Sequence, residues 1–236
     1  MKKRKQTAVS PRERYHGPLL TNGVSLGYLK IYPWISLPFS LLFFFGWGQG
    51  DTLGFIKGPF LACIIVNVVS ILFSFFHALV NRFKSLTYVL IALVTWTVLM
   101  WLDFIGLMMF VSDSNGSTID AKRIYESPLT LFYVIPILLL FLVFCGLYTW
   151  YYLPTNQGKV WQFNQRGTKD KKRAFVNNFL ITFGIVMFVP PLLTGYLQNA
   201  FGLFLGVLMT STLTAVIVDA VYAAIYIRKH PDEDSL

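Results

Sequence analysis

Long apolar runs alternate with shorter polar segments along this chain of 236 residues. Each of six runs has about 20 residues and almost no charged side chain, the length a helix needs to cross the hydrocarbon core of a bilayer. The pattern therefore predicts an all-α polytopic membrane protein with one six-helix transmembrane domain over residues 31–227. The predicted spans are residues 28–48, 59–80, 86–111, 128–152, 175–197 and 201–227.

The longest polar interruption is residues 153–173, which carries six basic side chains and one acidic one. Two aromatic residues among these charges predict a short interfacial helix or a surface that docks a cytoplasmic or membrane protein partner. A loop that only connects two spans is the alternative. The docking candidates are Trp161, Phe163, Arg166, Lys171, Lys172 and Arg173.

Basic residues are distributed very unevenly between the two sides of the predicted membrane. With the N-terminus in the cytoplasm, 17 of the 20 Lys and Arg residues fall on the cytoplasmic side, which predicts that both termini lie there. Residues 1–30 then form a basic segment on the membrane surface beside anionic headgroups, and residues 228–236 a cytoplasmic tail. The enrichment of Lys and Arg in the cytoplasmic segments accounts for the net charge of +9, so this charge does not indicate nucleic-acid binding. The predicted location is the plasma membrane.

Two aspartates lie inside predicted spans, Asp103 in the third and Asp219 in the sixth. A carboxylate at the bilayer centre costs about 2.5–3.5 kcal/mol on insertion scales, so such a residue often marks a solute or ion pathway. The alternative is that both side chains are off-centre, where they are hydrated or bonded to a neighbouring helix.

The second predicted span carries a polar stripe in which residues follow one another at spacings of four and three. These spacings place the stripe on one helical face, which predicts either the lining of a pathway or an interface between helices. The stripe consists of Cys63, Asn67, Ser70, Ser74 and His77.

The sixth predicted span has two faces of interest. Gly202, Gly206 and Thr210 repeat every four residues, a ridge of small residues that predicts close helix packing. Asp219 and Tyr222 lie on another side, together with Thr212, and predict a polar interior. If this side faces the second span, Asp219 and His77 share the cytoplasmic half of the bundle.

The chain also shows a weak internal symmetry. Adding 116 to the numbering maps the second span onto the fifth and Asp103 onto Asp219, which predicts a 3+3 inverted repeat of the kind found in transporters. In size and number of spans the chain is loosely similar to permease subunits of ABC exporters, which implies a separate ATPase partner. Residues 81–85 depart from that pattern, because they leave little room for a coupling helix.

The leading functional hypothesis is a transporter, or the membrane subunit of a transport complex. The first alternative is a non-catalytic membrane partner such as an assembly, scaffold or toxin-immunity protein, and the second is a membrane enzyme acting on lipid or peptide. Glycine-rich phosphate loops and the HExxH, GxSxG and CxxC motifs are missing from the sequence, so no cofactor or metal is expected. Asp103 and Asp219 fall in opposite halves of their spans, which argues against an acid–base pair and hence against an enzyme.

Overall fold

The computed structural model describes residues 27–46, 54–76, 82–112, 127–153 and 196–229, together with Val80, Ile124 and Asn156. These residues form five long α-helices and no strand. The all-α class is thereby confirmed for this part of the chain, and each helix is long and apolar enough to cross a membrane, which is compatible with an integral membrane protein. The helices are α1 (Gly27–Phe45), α2 (Gly54–Phe75), α3 (Lys84–Val111), α4 (Pro128–Tyr152) and α5 (Leu197–Lys229).

The five helices correspond to the first four predicted spans and the sixth. The predicted fifth span, 175–197, lies outside the described residues except at its last two positions. α2 begins at Gly54, more than one turn before the predicted start at Pro59. Pro59 lies inside α2 rather than starting it, where it removes one backbone hydrogen bond. Membrane helices tolerate such a proline when neighbouring groups satisfy the freed carbonyl.

α3 is the central helix of the described bundle. It packs against all four other helices, with α1 and α2 also paired with each other and α4 paired with α5. Half of the apolar length of α3 is buried within the protein, compared with 11% of α4. The most extensive pair is α3 with α5, and Asp103 faces that interface.

Contacts along their full length show that α3 and α5 are antiparallel. At one end, the Asn199 side-chain amide donates to the carbonyl oxygens of Phe110 and Ser112, at 2.7 and 2.9 Å. At the other end, the Ser85 hydroxyl donates to the Ala224 carbonyl at 2.9 Å. The Asn199 bonds also satisfy carbonyl groups at the C-terminus of α3, where a helix has no partners of its own.

α4 runs parallel to α5. Tyr133, near the start of α4, lies against Gly206, and Tyr148, near its end, donates to the Ser211 carbonyl at 2.9 Å. Residue numbers therefore increase in the same direction along both helices. As a result, the chain leaves α4 at one end of the bundle and enters α5 at the opposite end.

Three glycines allow α3, α4 and α5 to approach one another closely. A Cβ atom on Gly202 would lie 2.7 Å from the backbone nitrogen of Phe110, and one on Gly106 would lie 2.8 Å from the Gly202 carbonyl oxygen. A Cβ atom on Gly206 would lie 2.9 Å from the Tyr133 ring. Side chains at these positions would force the helices apart, so the glycines set the helix spacing.

Phenylalanine rings join α1 and α2 to α3. Phe43 of α1 and Phe60 of α2 both contact the Phe104 ring nearly edge to face, with centroids 5.0 and 5.2 Å away. The rings of Phe43 and Phe60 are themselves 5.1 Å apart. Edge-to-face pairs of this kind add about 0.5–1.5 kcal/mol beyond the burial of their area.

Replacing Gly202 with alanine should lower the free energy of unfolding by about 1–3 kcal/mol, since the added methyl group meets backbone atoms that cannot move aside independently. The measurement is equilibrium unfolding of the purified protein in mixed micelles. Gly146→Ala is the matched control, because nothing lies within 4 Å of a Cβ atom at that position. Equal stabilities of the two variants would contradict the assigned role of the close α3–α5 approach.

Candidate functional site

The polar stripe of α2 faces other helices. Asn67 is completely buried and its amide nitrogen donates to the hydroxyls of Ser36 and Ser40 on α1, at 3.2 and 3.4 Å. The Thr97 hydroxyl on α3 donates to the amide oxygen of Asn67 at 3.3 Å. The Ser36 and Thr97 hydroxyls are also hydrogen-bonded to each other at 2.9 Å. The network therefore links three helices through uncharged groups whose hydrogen bonds close on one another.

The remaining described members of the stripe are also withdrawn from the surface. Cys63 and Ser70 have no exposed area, and Ser74 donates to the Ile71 carbonyl of its own helix at 2.7 Å. The Ser70 hydroxyl has no hydrogen-bond partner among the described residues. The arrangement holds helices together, and none of these contacts brings a charged group to this face.

Asp103 lies on α3, eight residues before the end of the helix, and faces α5. Both of its carboxylate oxygens accept from the Thr210 hydroxyl, at 3.3 and 3.2 Å. The Tyr133 hydroxyl of α4 donates to the backbone carbonyl of Asp103 at 3.2 Å. The side chain is partly exposed, so three helices position this carboxylate without enclosing it.

Asp219 has a different environment toward the other end of the same interface. It is only 2% exposed. Its carboxylate acts electrostatically on the phenols of Tyr88 from α3 and Tyr152 from α4, both of which are buried in the core beside it. Tyr222 is partly buried and packs against the same core. This carboxylate is therefore enclosed within the protein, with tyrosine phenols from two other helices near it.

The two carboxylates do not converge. Thr210, the partner of Asp103, and Asp219 are nine residues apart on α5, which is about 13 Å along a helix. Thr214 lies between them, fully buried, and donates to the Thr210 carbonyl. We call Asp103, Thr210, Thr214 and Asp219 the acidic seam. Its length rules out a catalytic acid–base pair made from these two carboxylates, because such groups must reach the same substrate.

Sequence reasoning singled out the two aspartates and Asn67, and it named Thr210 only as a packing residue. It did not identify Ser36, Ser40 and Thr97 as the partners of Asn67. Ser36 and Ser40 are four residues apart on α1, and this small polar pair in a predicted span was the available signal. Thr212 was grouped with Asp219 by its spacing, yet it is exposed and donates to the Leu208 carbonyl of its own helix at 2.8 Å. α5 therefore buries Asp219 by turning it toward α3 and α4.

Other predicted site residues lie outside the described part of the chain. His77 is one, so its predicted proximity to Asp219 stays a prediction. Within the described helices, α5 makes its main contacts with α3 and α4 rather than with α2. The six docking candidates also lie outside the described residues: Trp161, Phe163, Arg166, Lys171, Lys172 and Arg173.

Asn67→Ala should lower the free energy of unfolding by about 1–3 kcal/mol, since it removes three hydrogen bonds between helices and leaves a cavity. Ser70→Ala, one turn away on the same face, is the matched control. It removes a buried hydroxyl without a described partner and should be neutral or stabilising. Unfolding in mixed micelles compares the two variants, and a larger loss from Ser70→Ala would contradict the described network.

Comparison with known proteins adds no function to this geometry. The chain matches no protein-family model, no curated protein and no solved structure. The evidence for a function is therefore the chemistry of its own helices. Among the described residues, no three His, Cys, Asp or Glu side chains are grouped so that they would hold a metal ion. The acidic seam is the strongest candidate site that these helices contain.

Proposed function

We propose that the chain is an integral membrane transporter, or the membrane subunit of a transport complex, and that the acidic seam is part of its pathway. The observation that carries this proposal is the presence of two carboxylates, Asp103 and Asp219, at the interfaces between membrane-spanning helices. Intramembrane acids are costly and are typically retained where they bind or move a solute or an ion.

Packing alone gives no reason for the Asp103 carboxylate. At the level of Asp103, the glycines at positions 106, 202 and 206 already bring the three helices together. Thr210 and Thr214 are small enough for the same interface and are fully buried there. A carboxylate adds a desolvation cost to a contact that small residues already make, which favours a functional role.

The pathway proposed here runs between α3, α4 and α5, and not along the polar face of α2. Asn67 and its partners are uncharged, buried and bonded to one another, so a solute would have to break that network to pass. The α2 face is therefore assigned to helix packing within the proposed transporter. The acidic seam differs because the carboxylate of Asp103 is partly exposed.

We propose further that the chain crosses the membrane six times, with both termini in the cytoplasm. The parallel arrangement of α4 and α5 supports this topology, since the chain between them must return from one end of the bundle to the other. That segment contains the predicted span at 175–197. A 3+3 inverted repeat, with the third and sixth spans related by a two-fold axis, is part of the same proposal. It requires α3 and α5 to be antiparallel, as does any six-span chain with both termini on one side.

A non-catalytic membrane partner is the second candidate function. It is favoured by the outer face of α4, where Leu138, Leu139 and Leu142 are each more than half exposed. Either lipid or a membrane partner can cover such a face. Two further proposals belong to either function. One is docking of a protein through residues 153–173, and the other is location in the plasma membrane.

The six-span topology predicts that Leu153 and Tyr196 lie on opposite sides of the membrane, Leu153 in the cytoplasm. Alkaline phosphatase fused after residue 196 should be active in a bacterial host, whereas a fusion after residue 153 should be inactive. Green fluorescent protein fused at the same two sites should show the reverse pattern. Equal reporter activity at the two fusion sites, with either reporter, would refute the prediction that the chain crosses the membrane between residues 153 and 196.

Transport predicts that proteoliposomes containing the purified chain retain solutes from a cell extract that protein-free liposomes do not. Mass spectrometry of the washed vesicles identifies these solutes. Asp103→Asn and Asp219→Asn should each reduce retention at least tenfold, because a neutral amide lacks the negative charge that binds a cation or a proton. Ser70→Ala, which lies outside the acidic seam, serves as the matched control and should retain wild-type uptake.

Two results would overturn the transport function. One is solute retention by either asparagine variant at the wild-type level. The other is wild-type vesicles that retain nothing, combined with purification in mild detergent that recovers no ATPase. Recovery of a stable non-ATPase complex under those conditions supports the membrane-partner function instead.

A further inference from the structure

We propose that Asp103 is a proton-binding site and that the ion moved by the acidic seam is therefore a proton, an inference that rests on the transport function proposed above. Three observations carry it. They are the small number of oxygen atoms around the carboxylate, the chemistry of its hydroxyl partner, and the positions of the charged groups on the neighbouring helices.

The oxygen atoms near Asp103 suit a proton better than a metal ion. Its side-chain hydrogen bonds within the described residues go to the Thr210 hydroxyl alone. Ca²⁺ takes about six to eight oxygen ligands and Mg²⁺ needs a nearly octahedral set of about six. A proton needs one oxygen to carry it and one acceptor. The carboxylate and the hydroxyl supply both.

Thr210 is a suitable partner in both protonation states. A hydroxyl can donate one hydrogen bond and accept two, whereas an ionised carboxylate only accepts. The Thr210 hydroxyl donates to ionised Asp103, and it accepts from Asp103 when the acid is protonated. The distances to the two carboxylate oxygens, 3.3 and 3.2 Å, are nearly equal, so either oxygen can carry the proton. Exchange of the proton therefore leaves the helices in place.

The four other described helices present few charges to this site. α5 contributes the Thr210 hydroxyl, and α4 contributes the phenol of Tyr133, which interacts electrostatically with the Asp103 carboxylate. On α2, Lys57 lies one turn before Phe60 in the sequence, and the Phe60 ring contacts Phe104, the residue next to Asp103. α1 contributes the Phe43 ring at that level, and Lys30, its described cation, lies at the far end of the helix.

Asp219 does not fit the same role. It is 2% exposed, whereas Asp103 is partly exposed, so Asp103 is the more accessible of the two carboxylates. The acidic seam thus contains one partly exposed carboxyl group and one enclosed carboxyl group. This difference gives a matched pair of variants for the test.

The experiment is infrared difference spectroscopy of the full chain in lipid nanodiscs, perfused alternately with acidic and alkaline buffer. Asp103 should give a carboxylic-acid C=O band that disappears as the acid ionises. Asp103→Asn should lose this band, and Asp219→Asn should keep it. Replacing sodium with choline in both buffers should leave the pH midpoint of the band unchanged, because sodium does not compete for a proton site.

Thr210→Val keeps the acid but removes its hydroxyl partner, so the band should move to higher frequency as hydrogen bonding weakens. This variant also serves if Asp103→Asn does not fold. The inference is overturned if Asp103→Asn retains the band, if the midpoint depends on sodium, or if Thr210→Val leaves the frequency unchanged. These spectra need no transported solute. A titrating Asp103 in a protein that retains no solute and copurifies with no ATPase would therefore refute transport alone, and solute uptake without the band would refute only the proton site.

Discussion

The close approach of the α3 and α5 backbones at Gly106 and Gly202 is the contact on which the polar interactions between these two helices depend. With no Cβ atoms between them, the two helices come near enough for Thr210 to reach Asp103 and for Asn199 to bond the end of α3. Dispersion forces and hydrogen bonds hold such a pair together in a membrane, because lipid is as apolar as the side chains it replaces. A small increase in separation would weaken all of these contacts together.

Two kinds of polar group are buried between the helices, and they differ in what they can do. The Asn67 network is neutral and mutually bonded, so its interactions are complete once the helices have assembled. The acidic seam contains carboxyl groups whose neighbours are hydroxyls or phenols. A carboxyl group with such neighbours can be either ionised or protonated. Buried polar residues in a membrane protein are therefore not equivalent evidence for a pathway. The chemistry of their partners distinguishes the two cases.

The sequence was sufficient to predict the helical class and the approximate positions of the five described helices, because long uncharged runs have few alternatives in a membrane protein. It also located Asp103, Asp219 and Asn67 as unusual polar positions. It could not predict their partners, since a helical face is defined by spacing within one helix and its neighbour is determined by the packing of the whole bundle. Thr212 illustrates this limit, because its spacing from Asp219 suggested a shared face while the helix exposes one residue and buries the other.

The separation of Asp103 and Thr210 along the chain has a consequence for synthesis. The two residues are 107 positions apart, so α3 is made and inserted before its hydroxyl partner exists. During that interval the Asp103 carboxylate lacks the Thr210 hydroxyl and the rest of α5 as packing partners. The free-energy cost of placing this acid in the bilayer therefore arises while α3 is being inserted. At that stage a bound proton can neutralise the carboxylate, or the insertion machinery can keep it away from lipid. The same residue thus places a demand on biogenesis before it serves the assembled bundle.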